Sequence, residues 1–333
     1  MRFMTWVGGM NFELGECDVP LLDADQVLVK VDTVGVCGTD VHITEGLFPG
    51  TPPKILGHEG SGTIVDVGTS ISKDRIGQRV AIDVGDHCGT CEACLTWSIG
   101  RCEKHEWKAG FFSEFVAVTS SVALMIPKKM DLELAAFTEP AACCLSGVRM
   151  LDERERKFGL VIGGGAMGLF TLAFLKQSGV DQVIMSEPVK SRREMSIQLG
   201  ANFLHDPSDS NLDEFVNDLT NGYGVEVAVE AVGKPELVAK CVELTRPRGD
   251  VLMIGVCPPG TSLPVDLFDF HYREIRIRGA FGRGSVFDET PEEMMSLDLS
   301  GIISGRYSLE NIPDAINDVR NGRGIKFVVK PND

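Results

Sequence analysis

Cys88, Cys91, Cys94 and Cys102 fall within fifteen residues in the pattern C-x2-C-x2-C-x7-C. Four thiolates are the number and chemical type that close one tetrahedral zinc site, and a closed site leaves no position for water or substrate. The pattern therefore predicts a metal that holds a loop together rather than one that does chemistry. Two disulfides of an exported domain would use the same residues. A chain of 333 residues does not need such staples, and its N-terminus carries no apolar export segment. A redox pair drawn from one C-x-x-C would leave two thiols idle when all four suit one ion.

A second group of residues points to a dinucleotide. Gly163-Gly164-Gly165-Ala166-Met167-Gly168 satisfies G-x-G-x-x-G. It follows an apolar run at 160–162, opens an apolar helical stretch, and is followed about twenty residues on by an acid, Glu187. Bare glycines let a pyrophosphate reach the N–H groups at a helix N-terminus. An ordinary glycine-rich turn between strand and helix would share only the spacing. A carboxylate at 187, just past a strand at 182–185, can accept hydrogen bonds from ribose hydroxyls and would repel a 2′-phosphate. That favours NAD over NADP. Lys190, Arg192 and Arg193 come next, and any of them could cover a phosphate or face water.

Two further segments carry reactive side chains, Gly35-Val-Cys37-Gly-Thr39-Asp40-Val-His42 and Gly57-His58-Glu59-Gly60. A catalytic zinc takes about three protein ligands and keeps one position open. Cys37 supplies a thiolate, His58 an imidazole, and Glu139, in Thr138-Glu139-Pro140, is the candidate for the third. Taken singly, Cys37 would read as a core residue and Glu139 as a charge at a helix start. Asp40 reads equally as a partner to these ligands or as a helix cap.

With the cysteine loop and the glycine turn in this order, the chain resembles the zinc-dependent medium-chain alcohol dehydrogenases along essentially its whole length. Thr138-Glu139-Pro140 resembles the polyol (sorbitol, butanediol and threonine) branch, where a glutamate replaces a cysteine. The resemblance implies an α/β protein. A GroES-like, mostly-β catalytic domain would take 1–140 together with 280–333, and a Rossmann domain with a doubly wound parallel sheet would take 141–279. It implies one catalytic and one structural zinc, with Glu59 as an alternative or transient ligand beside Cys37, His58 and Glu139. Thr39 would take the hydroxyl proton and pass it along the cofactor ribose toward His42, which would face solvent, while the hydride goes to the nicotinamide. Lys326 matches a position that approaches the pyrophosphate, although a surface lysine would look the same. A homodimer or homotetramer, paired through an edge strand near 251–255, is also implied. One segment departs from the family: only 103–114, with Trp107, Phe111 and Phe112, separates Cys102 from the next strand where longer relatives wall the substrate cleft, so the pocket would be opened to a bulkier ligand or closed by the aromatics. His105, in the same stretch, reads as a surface residue rather than a catalytic group.

The elements that must position these groups change texture along the chain. The first ~140 residues read as short β segments (26–36, 62–67, 79–83, 115–118) punctuated by Gly and Pro, with Val27, Val29 and Val31 on one face of a half-exposed strand. From 160 onward strands at 160–162, 182–185, 201–204, 225–230, 251–255 and 275–279 alternate with helices, which implies a parallel sheet covered on both faces. The uncharged stretch 158–175 is long enough to suggest a membrane span, but its glycines read as a turn between a buried strand and a buried helix. Asp250, after Gly249, reads as a solvated turn residue. A net charge of −16 argues against nucleic acid or anionic membrane as partner. Ten cysteines, five of them read as plain buried thiols, point to a reducing, cytoplasmic compartment. The function expected is a zinc-dependent hydride transfer between NAD and a secondary alcohol such as a polyol, sugar alcohol or cyclitol. An NADPH-dependent carbonyl reductase and a non-catalytic binder of NAD(H) or zinc are the alternatives.

Overall fold

A computed structural model describes residues 1–96, 101–104 and 110–333, and 106–107 by their backbone. His105 and the Trp107 side chain lie outside the described residues. The chain divides into two compact units, one of Met1–Pro140, Gly284–Ser296 and Ser300–Asp333, the other of Ala141–Arg283 and Leu297–Leu299.

In the first unit a seven-stranded sheet runs in the order Ala123–Met125, Arg79–Ile82, Glu59–Val67, Gln26–Val36, Lys326–Lys330, Ile303–Ser308, with Phe115–Thr119 pairing to the start of Gln26–Val36. Gln26–Val36 is thus bonded to three neighbours. The sequence pattern predicts that one of its faces meets water. Instead Val27, Leu28, Val29, Val31, Val34 and Val36 are all buried, on both faces. Residues from sites far apart in the chain close over it: Met4, Trp6, Phe111, Phe112, Ile312 and Ile316 join the same core. Each such valine contributes roughly 1.5–3 kcal/mol of burial, so the strand is a rigid base for whatever its end carries. Its end carries Cys37. The hairpin strands Arg2–Gly8 and Asn11–Glu16, and the strand Ile303–Ser308, had no clear sequence signal.

The second unit is built on a six-stranded parallel sheet in the order Phe203–His205, Val180–Ser186, Arg156–Ile162, Val225–Glu230, Thr245–Met253, Arg276–Gly279. The chain proceeds outward in one direction from Arg156–Ile162, then returns to its other side. Ligands bind such sheets in the crevice at that reversal, outside the carboxyl ends of the strands. The uncharged stretch resolves into Arg156–Ile162 and the helix Ala166–Gln177. Among the described residues no helix is long and apolar enough to cross a membrane.

Three sequence readings need correction. The segment expected to form an edge strand at 251–255 belongs to Thr245–Met253, which is paired on both sides; the edges are Phe203–His205 and Arg276–Gly279. Asp250 is not solvated: it is fully buried and ion-paired to Arg154, Arg156, Arg276 and Arg278. Those arginines come from two strands or their flanks, Arg156–Ile162 and Arg276–Gly279, so nothing near Asp250 in the sequence announces them. Of the thiols read as buried, Cys17 is exposed and Cys143 and Cys257 are half-buried.

Candidate active site and metal centres

Where Gln26–Val36 ends, Cys37 caps the helix Gly38–Thr44. Its sulfur accepts from Thr39 N at 3.5 Å, and Asp40 Oδ2 accepts in return from Cys37 N at 3.0 Å, a reciprocal cap that fixes the thiol's direction. The other oxygen of Asp40 accepts from Gly57 N at 3.2 Å and lies 3.3 Å from His58 Nδ1. One buried carboxylate therefore holds both ligand-bearing segments. Pinned at Nδ1, the His58 ring is left with its other nitrogen to offer a metal. Burial alone would lower the His58 imidazole, but the charges of Asp40 and Cys37 outweigh it and hold the group well above its ordinary value. Burial would likewise raise Asp40; His58 and the N–H groups of Cys37 and Gly57 outweigh it and keep the carboxyl below the usual range.

Glu59 begins the next strand and lies in register opposite Gly35. A Cβ at 35 would sit 2.0 Å from Glu59 Oε2, so only glycine leaves room for this carboxylate. Oε2 accepts from Lys326 Nζ, whereas the buried Oε1 has no partner among the described residues. Lys326 is itself buried, donates to Val36 O at 3.3 Å and lies 5.3 Å over the Phe137 ring. Burial would push its ammonium down, but Glu59 and then Cys37 and Glu139 outweigh that and raise it, so it stays charged. Cys37, His58 and Glu59 each bring a ligand atom to within 4.8 Å of the others. A thiol, an imidazole and an orphaned carboxylate oxygen are the donor types zinc takes, and the set fits that ion.

The remaining sequence candidates take different places. Glu139 is half-buried in the first turn of the helix Thr138–Arg149, near enough for its charge to act on Lys326, but outside the cluster of three. Thr39 is half-buried with its hydroxyl 3.7 Å from Cys37 Sγ. His42 is exposed on the last turn of the same helix. Lys326 is not a surface lysine. Phe111 and Phe112 do not wall an open cleft; they are fully buried and pack on Gly60 and Gly57. The backbone there bonds back as well, Gly110 N and Phe111 N to Gly57 O and Phe112 N to Leu56 O. The shortened segment thus grips the chain on either side of His58 and Glu59.

The four-cysteine loop is assembled locally. All four sulfurs lie within 4.8 Å of one another, with separations of 3.4 Å for Cys91–Cys94, 3.6 Å for Cys88–Cys102 and 3.9 Å for Cys91–Cys102. These are near the roughly 3.8 Å edge of a tetrahedron with ~2.3 Å zinc–sulfur bonds and far from the ~2.05 Å of a disulfide. Backbone N–H groups of Thr90 and Cys91 point at Cys88 Sγ, and those of Cys88 and Lys104 at Cys102 Sγ, 3.3–3.4 Å away. Hydrogen bonds from Thr90 and Cys91 hold the Cys88 thiol down at about 5, as a metal-binding thiolate requires. Burial and Cys91 push Cys94 up to about 12, so the loop without a metal keeps a proton that zinc would displace.

In the second unit the glycine turn meets the conditions for a dinucleotide. A Cβ at Gly168 would lie 1.8 Å from Gly163 O, so the helix can start this close to the turn only with glycine. Gly165 caps the helix Ala166–Gln177 with no side chain accepting from its first N–H groups, and a Cβ there would meet only open space. An uncapped helix N-terminus facing open space fits a pyrophosphate. Glu187 is buried beside the turn, accepting from Gly164 N at 2.6 Å and Val189 N at 2.9 Å. Arg192 is half-buried on the helix Lys190–Gln198. One residue escaped the sequence reading. Glu230, fully buried at the end of Val225–Glu230, accepts from Val232, Gly233 and Lys234 N with Oε1 and leaves Oε2 without a partner among the described residues. An acid closing an all-buried strand, before Ala-Val-Gly, was its only signal.

Comparison with known proteins finds two family matches in succession along the chain. The family described as alcohol dehydrogenase GroES-like domain matches residues 23–128, and that described as zinc-binding dehydrogenase matches 166–299. The chain is 30% identical to D-arabinitol dehydrogenase 1 of Uromyces fabae over 97% of its own length and 95% of that protein's. It is 31% identical to L-threonine 3-dehydrogenase of Pyrococcus abyssi (strain GE5 / Orsay), covering 95% and 94%. A solved structure of a putative zinc-binding dehydrogenase from Sinorhizobium meliloti 1021, bound to NADP, superposes with a TM-score of 0.92 at 30% identity, covering 99% of each chain.

Proposed function

The chain belongs to the zinc-dependent medium-chain alcohol dehydrogenases, in the branch of the polyol and threonine enzymes, and from that premise we propose that it oxidises a polyol, sugar alcohol or cyclitol with NAD. The observation that carries the reading is the convergence of Cys37, His58 and Glu59, with one buried carboxylate oxygen left unpartnered among the described residues. Zinc, when bound by Cys37, His58 and either Glu59 or Glu139, supplies a Lewis acid that makes a substrate hydroxyl more acidic. The dinucleotide supplies the hydride acceptor.

The chain's own residues do the rest. Asp40 orients His58 and ties it to the Cys37 cap. Lys326 holds Glu59 by one oxygen. The Thr39 hydroxyl, beside Cys37, relays the substrate's hydroxyl proton, taking it up as it passes its own on toward exposed His42, which delivers a proton to solvent. The uncapped turn at Gly163, Gly165, Ala166, Met167 and Gly168 binds the pyrophosphate, and Glu187 takes the ribose hydroxyls. The four cysteines hold a structural zinc. The reduced thiols suit a cytoplasmic setting, and the strand Arg276–Gly279 offers an open edge through which a homodimer or homotetramer would pair.

The test is the appearance of NADH with a panel of polyols, cyclitols, simple secondary alcohols and threonine, with NAD and NADP in parallel and a chelator control. Chelator-sensitive turnover of a polyol with NAD is expected. Turnover of threonine alone, or with NADP alone, would replace the substrate or cofactor named here.

A further inference from the structure

Three cations, Lys190, Arg192 and Arg193, follow Glu187 in the region where a 2′-phosphate would be held, so their number alone does not decide between NAD and NADP. Arg193 is held by defined bonds. Its Nη1 donates to Glu187 O at 2.6 Å and Pro188 O at 2.7 Å, and its Nη2 lies 2.6 Å from Asp206 Oδ2. The guanidinium is thus anchored on the backbone of the very residue expected to take the ribose. Both side chains are largely withdrawn from water, Arg193 at 14% and Asp206 at 17% exposure. Lys190 by contrast is 81% exposed, with a longer 3.6 Å contact to Glu194.

Asp206 arrives there through sheet register. Ser186 pairs with His205 in the parallel ladder, and Glu187 N donates to His205 O at 3.1 Å, so the residues after each strand end emerge side by side. A turn then fixes Asp206: its Oδ1 accepts from Ser208 N at 2.9 Å, and its carbonyl accepts from Asp209 N and Ser210 N. The carboxylate is aimed by backbone bonds that do not depend on Arg193.

We propose that Asp206 is a cofactor-specificity residue: by engaging Arg193 it withholds that guanidinium from a 2′-phosphate and so enforces NAD over NADP. The inference rests on the NAD reading above. An arginine otherwise pairs readily and bidentately with phosphate. Here its free edge is already occupied by an anion fixed in place, and a phosphate would have to displace it beside the Glu187 carboxylate.

Dissociation constants for NAD and NADP, measured by titration calorimetry on the zinc-loaded protein, test this without recourse to turnover. Four proteins are compared: the unaltered chain, Asp206→Ala, Arg193→Ala, and the double variant, each checked for thermal melting and zinc content. The unaltered chain is expected to prefer NAD. Asp206→Ala should tighten NADP by about tenfold while NAD changes little. In the Arg193→Ala background the same Asp206 change should have almost no effect, because the group it releases is gone. A gain that persists without Arg193 reflects the general loss of a negative charge and overturns the proposal. So does an unchanged NADP constant in a folded Asp206→Ala, which leaves the NAD reading intact. An unaltered chain that prefers NADP overturns that reading and the proposal with it. Should Asp206→Ala fail to fold, Asp206→Asn, which keeps the acceptor for Ser208 N, is expected to give a smaller gain with the same dependence on Arg193.

Discussion

The two groups of metal-binding side chains differ in how the chain brings them together. Cys88, Cys91, Cys94 and Cys102 converge within one short loop whose own N–H groups point at their sulfurs. Cys37, His58 and Glu59 converge because a strand end, a helix cap and a strand register happen to coincide, and Lys326 joins them from the far end of the chain. A short loop closed by four thiolates has little besides its metal to hold it folded, so losing that metal costs stability. A dispersed site is positioned by a strand register and a helix cap that stand without the ion, so losing the ion leaves the fold in place. Changes in the first should therefore be read in stability, and changes in the second in metal occupancy and turnover.

Cys37→Ser is the strongest test of that distinction. Turnover should fall below detection and metal analysis should find one zinc fewer per chain, with calorimetric NAD binding and melting nearly unchanged. Full activity in this variant would falsify the assignment of the catalytic metal. Cys94→Ser should lower stability by about 4 kcal/mol or more, the scale of a lost structural metal, measured by denaturant unfolding. Whatever protein remains folded should turn over normally, and a specific loss of kcat in well-folded protein would erase the contrast between the sites.

Lys326→Met should destabilise the metal-free protein by about 3–5 kcal/mol, because it leaves the Glu59 carboxylate buried without a counter-charge. Adding zinc should restore part of that, since Glu59 can then turn to the ion. Melting with and without a chelator reads both quantities, and equal losses in the two conditions would show that Lys326 and the metal do not share Glu59. Asp40→Asn can keep the cap on Cys37 N with its one oxygen, but it turns an NH2 toward Gly57 N and His58 Nδ1 and so removes both the charge and the acceptor behind His58. It should weaken zinc at the catalytic site by about 10- to 100-fold without touching the cysteine loop, and competition with a chelator measures each site separately. Phe111→Leu, in the segment that grips His58 and Glu59, should be the mildest change, about 1 kcal/mol of stability. Its mark is a cobalt absorption spectrum altered at the dispersed site alone; an unaltered spectrum would reduce Phe111 to ordinary core.

Much of this was legible in the residues because chain-local patterns encode it. The spacing of the four cysteines, the glycine turn with its following acid, and the alternation of strands and helices after residue 160 each depend on neighbours within about thirty positions, the span of one βαβ unit. Other features were illegible for one recurrent reason. Asp250 looked like a turn acid because its arginines arrive from Arg154 and Arg156 on one side and Arg276 and Arg278 on the other. Lys326 looked like either a phosphate ligand or a surface lysine, because nothing beside it in the chain reveals Glu59. Gln26–Val36 looked half-exposed because period-two alternation reports one face, while the second face is covered by segments from both ends of the chain.

The amino-acid sequence by itself determined which chemistry is present: thiols, imidazoles, carboxylates and a bare-glycine helix start, at spacings that local backbone geometry converts into a cysteine loop and a dinucleotide turn. Tertiary structure alone decided who faces whom. It set Glu59 opposite Gly35, closed Lys326 onto that carboxylate, buried Asp250, carried Asp206 to Arg193, and put the edges of the parallel sheet at Phe203–His205 and Arg276–Gly279. The physical reason is that a buried charge must find its counter-charge wherever the register of distant strands delivers it, and register is a property of the whole sheet rather than of any one segment.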